Sequence, residues 1–210
     1  MDILKQTKIP ETGWTQHYDV LKELGDCYVS VGEYEKARES YDKATVLAPD
    51  EAGPYIGFGV IAMQTAELAD AETAFKVARR LDPQCSEAYC GLAMICQQRA
   101  DAAGAFDMYL KSLELDSDNL TALLGLFQSS CAMRSFSKVI YYLGLYLDAH
   151  PGDITVMFCL ATLQLKDNQL HKAKELLLNI LALDAGNTDA VNLLEEVEHT
   201  LAQKNRSEIL

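Results

Sequence analysis

The stretch LGDCYVSVGEYEKARESYDKATVLAP, residues 24–49, decides the fold. It places small residues at Gly25 and Ala37, an aromatic ring at Tyr41 and a proline at its end, Pro49. Small residues let two helices approach closely, and a ring four positions after an alanine lies one helical turn further along the same face. Proline ends a helix because it has no amide hydrogen to continue the hydrogen-bond ladder. The stretch therefore predicts a tightly packed pair of helices.

The same pattern returns at an offset of 34 residues. The aligned positions are Gly25 with Gly59, Ala37 with Ala71 and Ala105, Tyr41 with Phe75 and Tyr109, Leu47 with Leu81, Leu115 and Leu183, and Pro49 with Pro83 and Pro151. This period, with this order of small, aromatic and proline positions, resembles the tetratricopeptide repeat family. The resemblance implies an all-α, right-handed α-solenoid of five tandem helical hairpins with a C-terminal capping helix. Each hairpin would bury its apolar face against its neighbours.

The offset also sets the expected boundaries. We place an N-terminal extension at 1–17, repeats at 18–51, 52–85, 86–119, 120–153 and 154–187, and a C-terminal capping helix with its tail at 188–210. The fourth repeat is the most divergent. We expect Trp14 to pack on the first hairpin, since a large aromatic residue favours burial. We also expect Asp50, Ser86, Asp118 and Asp153 to cap the helices that follow them.

Charge and cysteine content limit the function classes. The chain has 31 acidic and 18 basic residues and a net charge of -13, which disfavours nucleic acid and anionic membrane as partners. The first twenty residues lack the apolar run of a signal peptide, and no stretch is apolar enough for membrane insertion, so a cytoplasmic location is expected. The six cysteines show no C-x-x-C pair, and we expect reduced thiols and no bound metal.

A catalytic or cofactor role has little support in the sequence. Residues 57–62 match the spacing of a dinucleotide fingerprint, Gly-x-Gly-x-x-Ala. Asp82 lies at about the distance in sequence where such sites often have an acidic residue that binds the ribose. That fingerprint must follow a strand, however, and here a turn between repeats precedes it. No nucleophile, zinc or phosphate-loop motif occurs. We therefore expect a non-catalytic protein without cofactors.

The resemblance implies that positions 2, 5, 9, 12 and 13 of each repeat face a concave groove. In this register the groove is apolar in its middle and charged at its rims, which suits an apolar or amphipathic peptide or helix of a protein partner. The residues predicted to bind the partner are Ile56, Val60, Met63, Cys90, Met94, Gln97, Leu124, Gln128 and Phe158. The competing interpretation is that neighbouring hairpins, or the N-terminal segment through Ile9 and Trp14, cover several of them.

Other binding modes remain as alternatives or are disfavoured. Relatives that hold acidic chaperone tails use lysine, asparagine and arginine side chains, but here only Lys22 fits, and Asp26 and Glu87 would repel a carboxylate. A homo-oligomeric scaffold is one alternative, because tyrosines of the fourth repeat at 141, 142 and 146 form either an outer patch or core filling. The other alternative is a chaperone for an apolar segment of a secreted or assembling protein.

Overall fold

The computed structural model of the chain describes the backbone of residues 11–133 and 136–207, with side chains for 17–131 and 136–204. These residues form an all-α solenoid of tandem helical hairpins, with eleven helices and no strand in the described part of the chain. The helices are α1 (Glu11–Ser30), α2 (Tyr34–Leu47), α3 (Gly53–Gln64), α4 (Leu68–Leu81), α5 (Ser86–Gln98), α6 (Ala102–Leu115), α7 (Leu120–Met133), α8 (Ser137–Ala149), α9 (Ile154–Lys166), α10 (Leu170–Leu183) and α11 (Thr188–Ser207). The predicted packing of Ile9 and Trp14 falls outside the described side chains.

The chain divides into two compact units, residues 1–100 and 101–210. In the first unit, α1 packs against α2 and α3 against α4, and α3 also contacts both α1 and α5. The first helices of successive hairpins therefore lie side by side along one face of this unit. In the second unit, each helix from α6 to α11 packs against the next one.

Prolines and left-handed turns mark the helix ends. Helices α2, α4 and α8 each end two residues before a proline, as the sequence predicts. The turn inside a hairpin uses a residue with positive φ, which is 77° at Gly32, 62° at Ala66, 60° at Ala100 and 59° at Asn168. These positions are separated by 34 residues or twice that number, so the repeat preserves the backbone conformation even where glycine is lost.

Aromatic rings from the second helices hold the first unit together. The ring of Tyr41, on α2, lies against Gly25 of α1 and Gly57 of α3. The ring of Phe75, on α4, lies against glycines of α3 and α5 in the same way, and a Cβ added at Gly59 would stand 2.6 Å from its Cε1 atom. Each ring thus joins two successive first helices, and both rings are almost fully buried.

The second unit has its own core. Its buried centre includes Leu170, Ala173 and Leu177 of α10, and α11 adds Ala190 and Val197 to it. These apolar side chains of α11 therefore face this core. The fourth repeat fills space with larger side chains, since Val139 and Tyr146 are both buried.

The predicted helix caps are only partly correct. Asp153 is confirmed, because its Oδ1 accepts a hydrogen bond of 3.1 Å from the backbone N–H three residues later. The prediction for Asp118 is wrong, since Asn119 caps α7 with a bond of 3.0 Å. Asp50 and Ser86 are also wrong: α3 and α5 begin after an alanine and a cysteine that make no side-chain cap. In each case the cap position is the residue directly before the helix, which spacing alone places to within one or two residues.

Candidate functional site

A cleft of about 630 Å³ opens on the face of the first unit where α1, α3 and the start of α5 lie side by side. Helix α1 contributes Tyr18, Lys22, Asp26 and Val29, and α3 contributes Gly53, Ile56, Gly57 and Val60. The remaining lining residues are Tyr41, Asp50, Glu51, Ala52, Leu81, Asp82, Cys85 and Glu87. The cleft has the size of a site for a small ligand or a few side chains of a peptide.

Two glycines and one tyrosine give the cleft its depth. Because Gly25 and Gly57 have no side chains, the ring of Tyr41 fits between α1 and α3 and reaches the floor of the cleft. Its hydroxyl donates a hydrogen bond of 2.7 Å to Asp26 Oδ1. Burial, and then this bond, raise the pKa of Tyr41 above its ordinary value of 10, so the hydroxyl stays neutral and remains a donor. The floor is therefore fixed by packing and by one charged hydrogen bond.

The rim of the cleft is strongly acidic. Among the residues with described side chains, five carboxylates line it against a single ammonium group, that of Lys22. Lys22 Nζ lies 2.8 Å from Asp26 Oδ2, and this hydrogen bond raises the pKa of the lysine. Burial, followed by the charge of Glu51, raises the pKa of Tyr18 to about 12. Neighbouring carboxylates add to both shifts, and together the rim carboxylates give the cleft a negative potential that favours bound cations and disfavours anions.

The predicted groove residues of the first unit fall into two groups. Ile56 and Val60 line the cleft and provide its apolar wall together with Val29, which is also half-buried. The remaining four lie further along α3 and α5: Met63 and Met94 are half-buried, Gln97 is exposed and Cys90 is buried. Burial raises the pKa of the Cys90 thiol to about 12, which makes it an unreactive packing residue. As contacts for a partner, all six stay predictions.

The other three predicted groove residues belong to the second unit. Leu124 is half-buried and Gln128 is exposed, both on α7. Phe158 of α9 is half-buried and packs against the core of this unit. Within this unit a shallower cleft of about 330 Å³ is lined by Leu110, Glu114, Ser137, Lys138, Tyr141 and Tyr142. The tyrosines predicted to form either a patch or a core do both, since Tyr141 is 64% exposed and Tyr146 is 8% exposed.

The rim residues Asp50, Glu51 and Asp82 were missed by sequence reasoning. They lie in the turns between hairpins, which the groove register does not include. The register did assign Asp26 and Glu87 to the groove face, and both line the cleft. An available signal was the acidic pair Asp50-Glu51 directly before α3, since such turns lie beside the first helices of the next hairpin.

The residues that imitate a nucleotide fingerprint lie inside α3, where Gly57 and Gly59 pack on aromatic rings. In the described part of the chain, no three His, Cys, Asp or Glu side chains come close enough to hold a metal ion. Nor does any helix there have the length and apolar character needed to cross a membrane.

Known protein families and solved structures are similar to this chain in sequence pattern and in fold. Models of the tetratricopeptide repeat match residues 18–51 and 57–119. A solved structure of Pseudomonas aeruginosa pilF is 16% identical, with a TM-score of 0.73, and the match covers 92% of this chain and 88% of that one. YrrB, described as a tetratricopeptide protein with an unusual peptide-binding site, is 17% identical, with a TM-score of 0.62 and coverage of 85% and 96%.

A third solved structure is the first tetratricopeptide domain of Spaghetti (RPAP3) bound to the HSP90 peptide SRMEEVD. It is 26% identical, with a TM-score of 0.51, and the match covers 57% of this chain and 95% of that one. A comparison with curated protein sequences found no match. The family models, the shared fold and the 34-residue pattern of glycines and rings lead to one conclusion. The chain belongs to the tetratricopeptide repeat superfamily.

Proposed function

We propose that the protein is a non-catalytic interaction scaffold that binds an apolar or amphipathic peptide or helix of a protein partner in its concave groove. The observation that carries this proposal is the cleft of the first unit, where Val29, Ile56 and Val60 form an apolar wall beside a ring of polar groups. An apolar cleft with polar groups at its edge is the usual form of a peptide-binding site. Proteins of this superfamily are generally adaptors, and YrrB and the RPAP3 domain are each described with a peptide site or a bound peptide.

The charge of the cleft argues against an acidic chaperone tail as the ligand. The peptide SRMEEVD bound to the RPAP3 domain carries three acidic side chains against one arginine. Here Asp26 and Glu87 line the cleft and Lys22 is already paired with Asp26. We expect no measurable binding of SRMEEVD to this protein, because like charges across an interface are repulsive.

The test is a selection of random peptides displayed on phage against the full chain, followed by affinity measurements on two variants. Val60→Glu places a charge on the apolar wall of the cleft. The control, Val46→Glu, places a charge on a residue of α2 that is 82% exposed and lies outside the cleft. We expect selected peptides to lose at least about tenfold in affinity on Val60→Glu, equal to about 1.4 kcal/mol, and to be unaffected by Val46→Glu. Peptides that are insensitive to Val60→Glu would show that this cleft is not the binding site.

A second candidate function is self-assembly through the second unit. Tyr141 is 64% exposed and stacks edge-on against Tyr142 with ring centroids 5.2 Å apart. Exposed aromatic residues are enriched at protein interfaces. Light scattering should then show a mass that rises with concentration and falls to the monomer value in Tyr141→Lys. A constant monomer mass in the wild type would rule this candidate out.

We also propose that this interaction scaffold is located in the cytoplasm, and cell fractionation tests this location.

A further inference from the structure

Among the described residues, the rim of the first-unit cleft carries five carboxylates and one lysine, which is paired with Asp26. We infer that the cleft takes a peptide segment that combines aliphatic side chains with lysine or arginine side chains. This inference rests on the proposed function and specifies the chemistry of the partner. The aliphatic side chains would lie on Val29, Ile56 and Val60, and the basic ones would reach the carboxylates around them.

The acidic groups come from several separate elements. Asp26 lies on α1, Asp50 and Glu51 lie in the turn before α3, and Asp82 and Glu87 flank the start of α5. Because they surround the cleft and do not meet at one point, they suit several basic side chains spaced along a peptide. A single metal ion would need a tighter cluster, and among the described residues no such cluster occurs.

Elsewhere in the described structure, several carboxylates have a basic partner in the protein. Glu72 of α4 is bound by two basic side chains, at 2.6 Å each, and Glu198 of α11 is bound by a lysine at 2.7 Å. On the rim, the ion pairs of the described residues reach only Asp26. Glu87 accepts a hydrogen bond from the Cys85 thiol, a weak neutral donor, at 3.4 Å. An open cleft lined by four carboxylates that form no ion pair with the described residues favours a cationic ligand.

The experiment uses fluorescent peptides of about twelve residues and the full chain. The first peptide alternates leucine and lysine, the second replaces each lysine with glutamine, and the third replaces each lysine with glutamate. Because the whole protein is acidic, two charge-matched variants are compared. Glu51→Gln/Glu87→Gln removes two charges from the rim, and Glu39→Gln/Glu175→Gln removes two from exposed sites on α2 and α10. Circular dichroism checks that both variants fold.

We expect the lysine peptide to bind most tightly and the glutamate peptide most weakly. The rim variant should weaken the lysine peptide by about 2- to 30-fold, because each exposed ion pair contributes about 0.2–1 kcal/mol. The matched variant should change its affinity by less than about twofold. Equal losses in both variants would mean that the peptide senses only the net charge, and would overturn the inference.

The failure of the inference differs from the failure of the proposed function. If the glutamine or glutamate peptide binds as tightly as the lysine peptide, and Val60→Glu abolishes that binding, the cleft is a peptide site but its preference for basic segments is wrong. If Val60→Glu changes the binding of none of the three peptides, and of no selected phage peptide, both the inference and the proposed function of this cleft are wrong.

Discussion

Replacing Gly57 with alanine should destabilise the protein even though glycine is a poor helix former. A Cβ at residue 57 would overlap the ring of Tyr41 and stand 2.7 Å from its hydroxyl oxygen. The ring has no free space, because it is 1% exposed and is held from the other side by Gly25. Its hydroxyl is also fixed by the bond of 2.7 Å to Asp26. The ring therefore cannot move aside without losing a charged hydrogen bond.

The change in the free energy of unfolding has three contributions, of which two lower stability and one raises it. Overpacking costs roughly 1–3 kcal/mol, and losing a hydrogen bond to a charged group costs roughly 1.5–3 kcal/mol. The better helix propensity of alanine returns about 1 kcal/mol. We expect Gly57→Ala to lower the free energy of unfolding by about 1.5–5 kcal/mol.

Gly144 supplies the matched control, since it also lies within a helix but a Cβ there would have no atom within 4 Å. Gly144→Ala should raise stability by about 0.5–1 kcal/mol through helix propensity alone. Urea unfolding followed by circular dichroism measures both variants. In a Tyr41→Leu background, the smaller side chain should remove most of the penalty of Gly57→Ala. A neutral or stabilising Gly57→Ala in the wild-type background would refute the packing of Tyr41 between α1 and α3.

Two further predictions concern a turn and an ion pair. Ala66→Gly should stabilise the protein by about 0.5–1 kcal/mol, because Ala66 has a φ of 62° where the first repeat has Gly32; a lower midpoint in urea would contradict this. Glu72 accepts hydrogen bonds from Arg99 and Lys76, which lower its pKa from 4.5 to about 2. A lowered carboxyl pKa stabilises the folded state above pH 4.5, and this contribution disappears as the pH falls towards 2. The stability difference between wild type and Glu72→Gln should be at most about 1 kcal/mol at pH 7, because these ion pairs are exposed. This difference should disappear as the pH falls from 4.5 towards 2. A difference that does not depend on pH would contradict the ion pairs.

The sequence predicted the helix pairs and much of the core correctly, because both depend on contacts that recur with the repeat. Ala37 and Ala71 are fully buried, and the aromatic residues four positions later, Tyr41 and Phe75, fill the space between first helices. Helices that end at prolines were equally predictable, since this effect needs only the local chain.

The role of Gly57 was missed although its signal was present. From the sequence, Gly59 was aligned with Gly25, and Gly57 was considered only as part of the spacing that imitates a dinucleotide fingerprint. In the structure the rings of Tyr41 and Phe75 each contact two glycines, one from their own hairpin and one from the next. Gly57 aligns with Gly91 and Gly125 at the same offset of 34, and each of these also packs on an aromatic ring.

The acidic rim was not predictable in the same way. Asp50 and Glu51 are more than thirty residues from Glu87 in sequence, and none of them occupies a repeated position of the family pattern. Their approach to one cleft depends on how successive hairpins stack, and the sequence pattern fixes the contacts of the core more firmly than those of the turns. Charge around a groove is therefore information that the stacked structure adds.

The most direct test of the proposed function and of the cleft's charge is an NMR titration of the isotope-labelled chain with the leucine–lysine peptide. We predict saturable shifts of the backbone amides around the cleft, including those of Val29, Ile56 and Val60, with little change on α10 and α11. The same titration with the leucine–glutamate peptide should leave these amides unchanged. Shifts confined to other surfaces, or equal shifts with both peptides, would contradict a cleft that selects basic amphipathic segments.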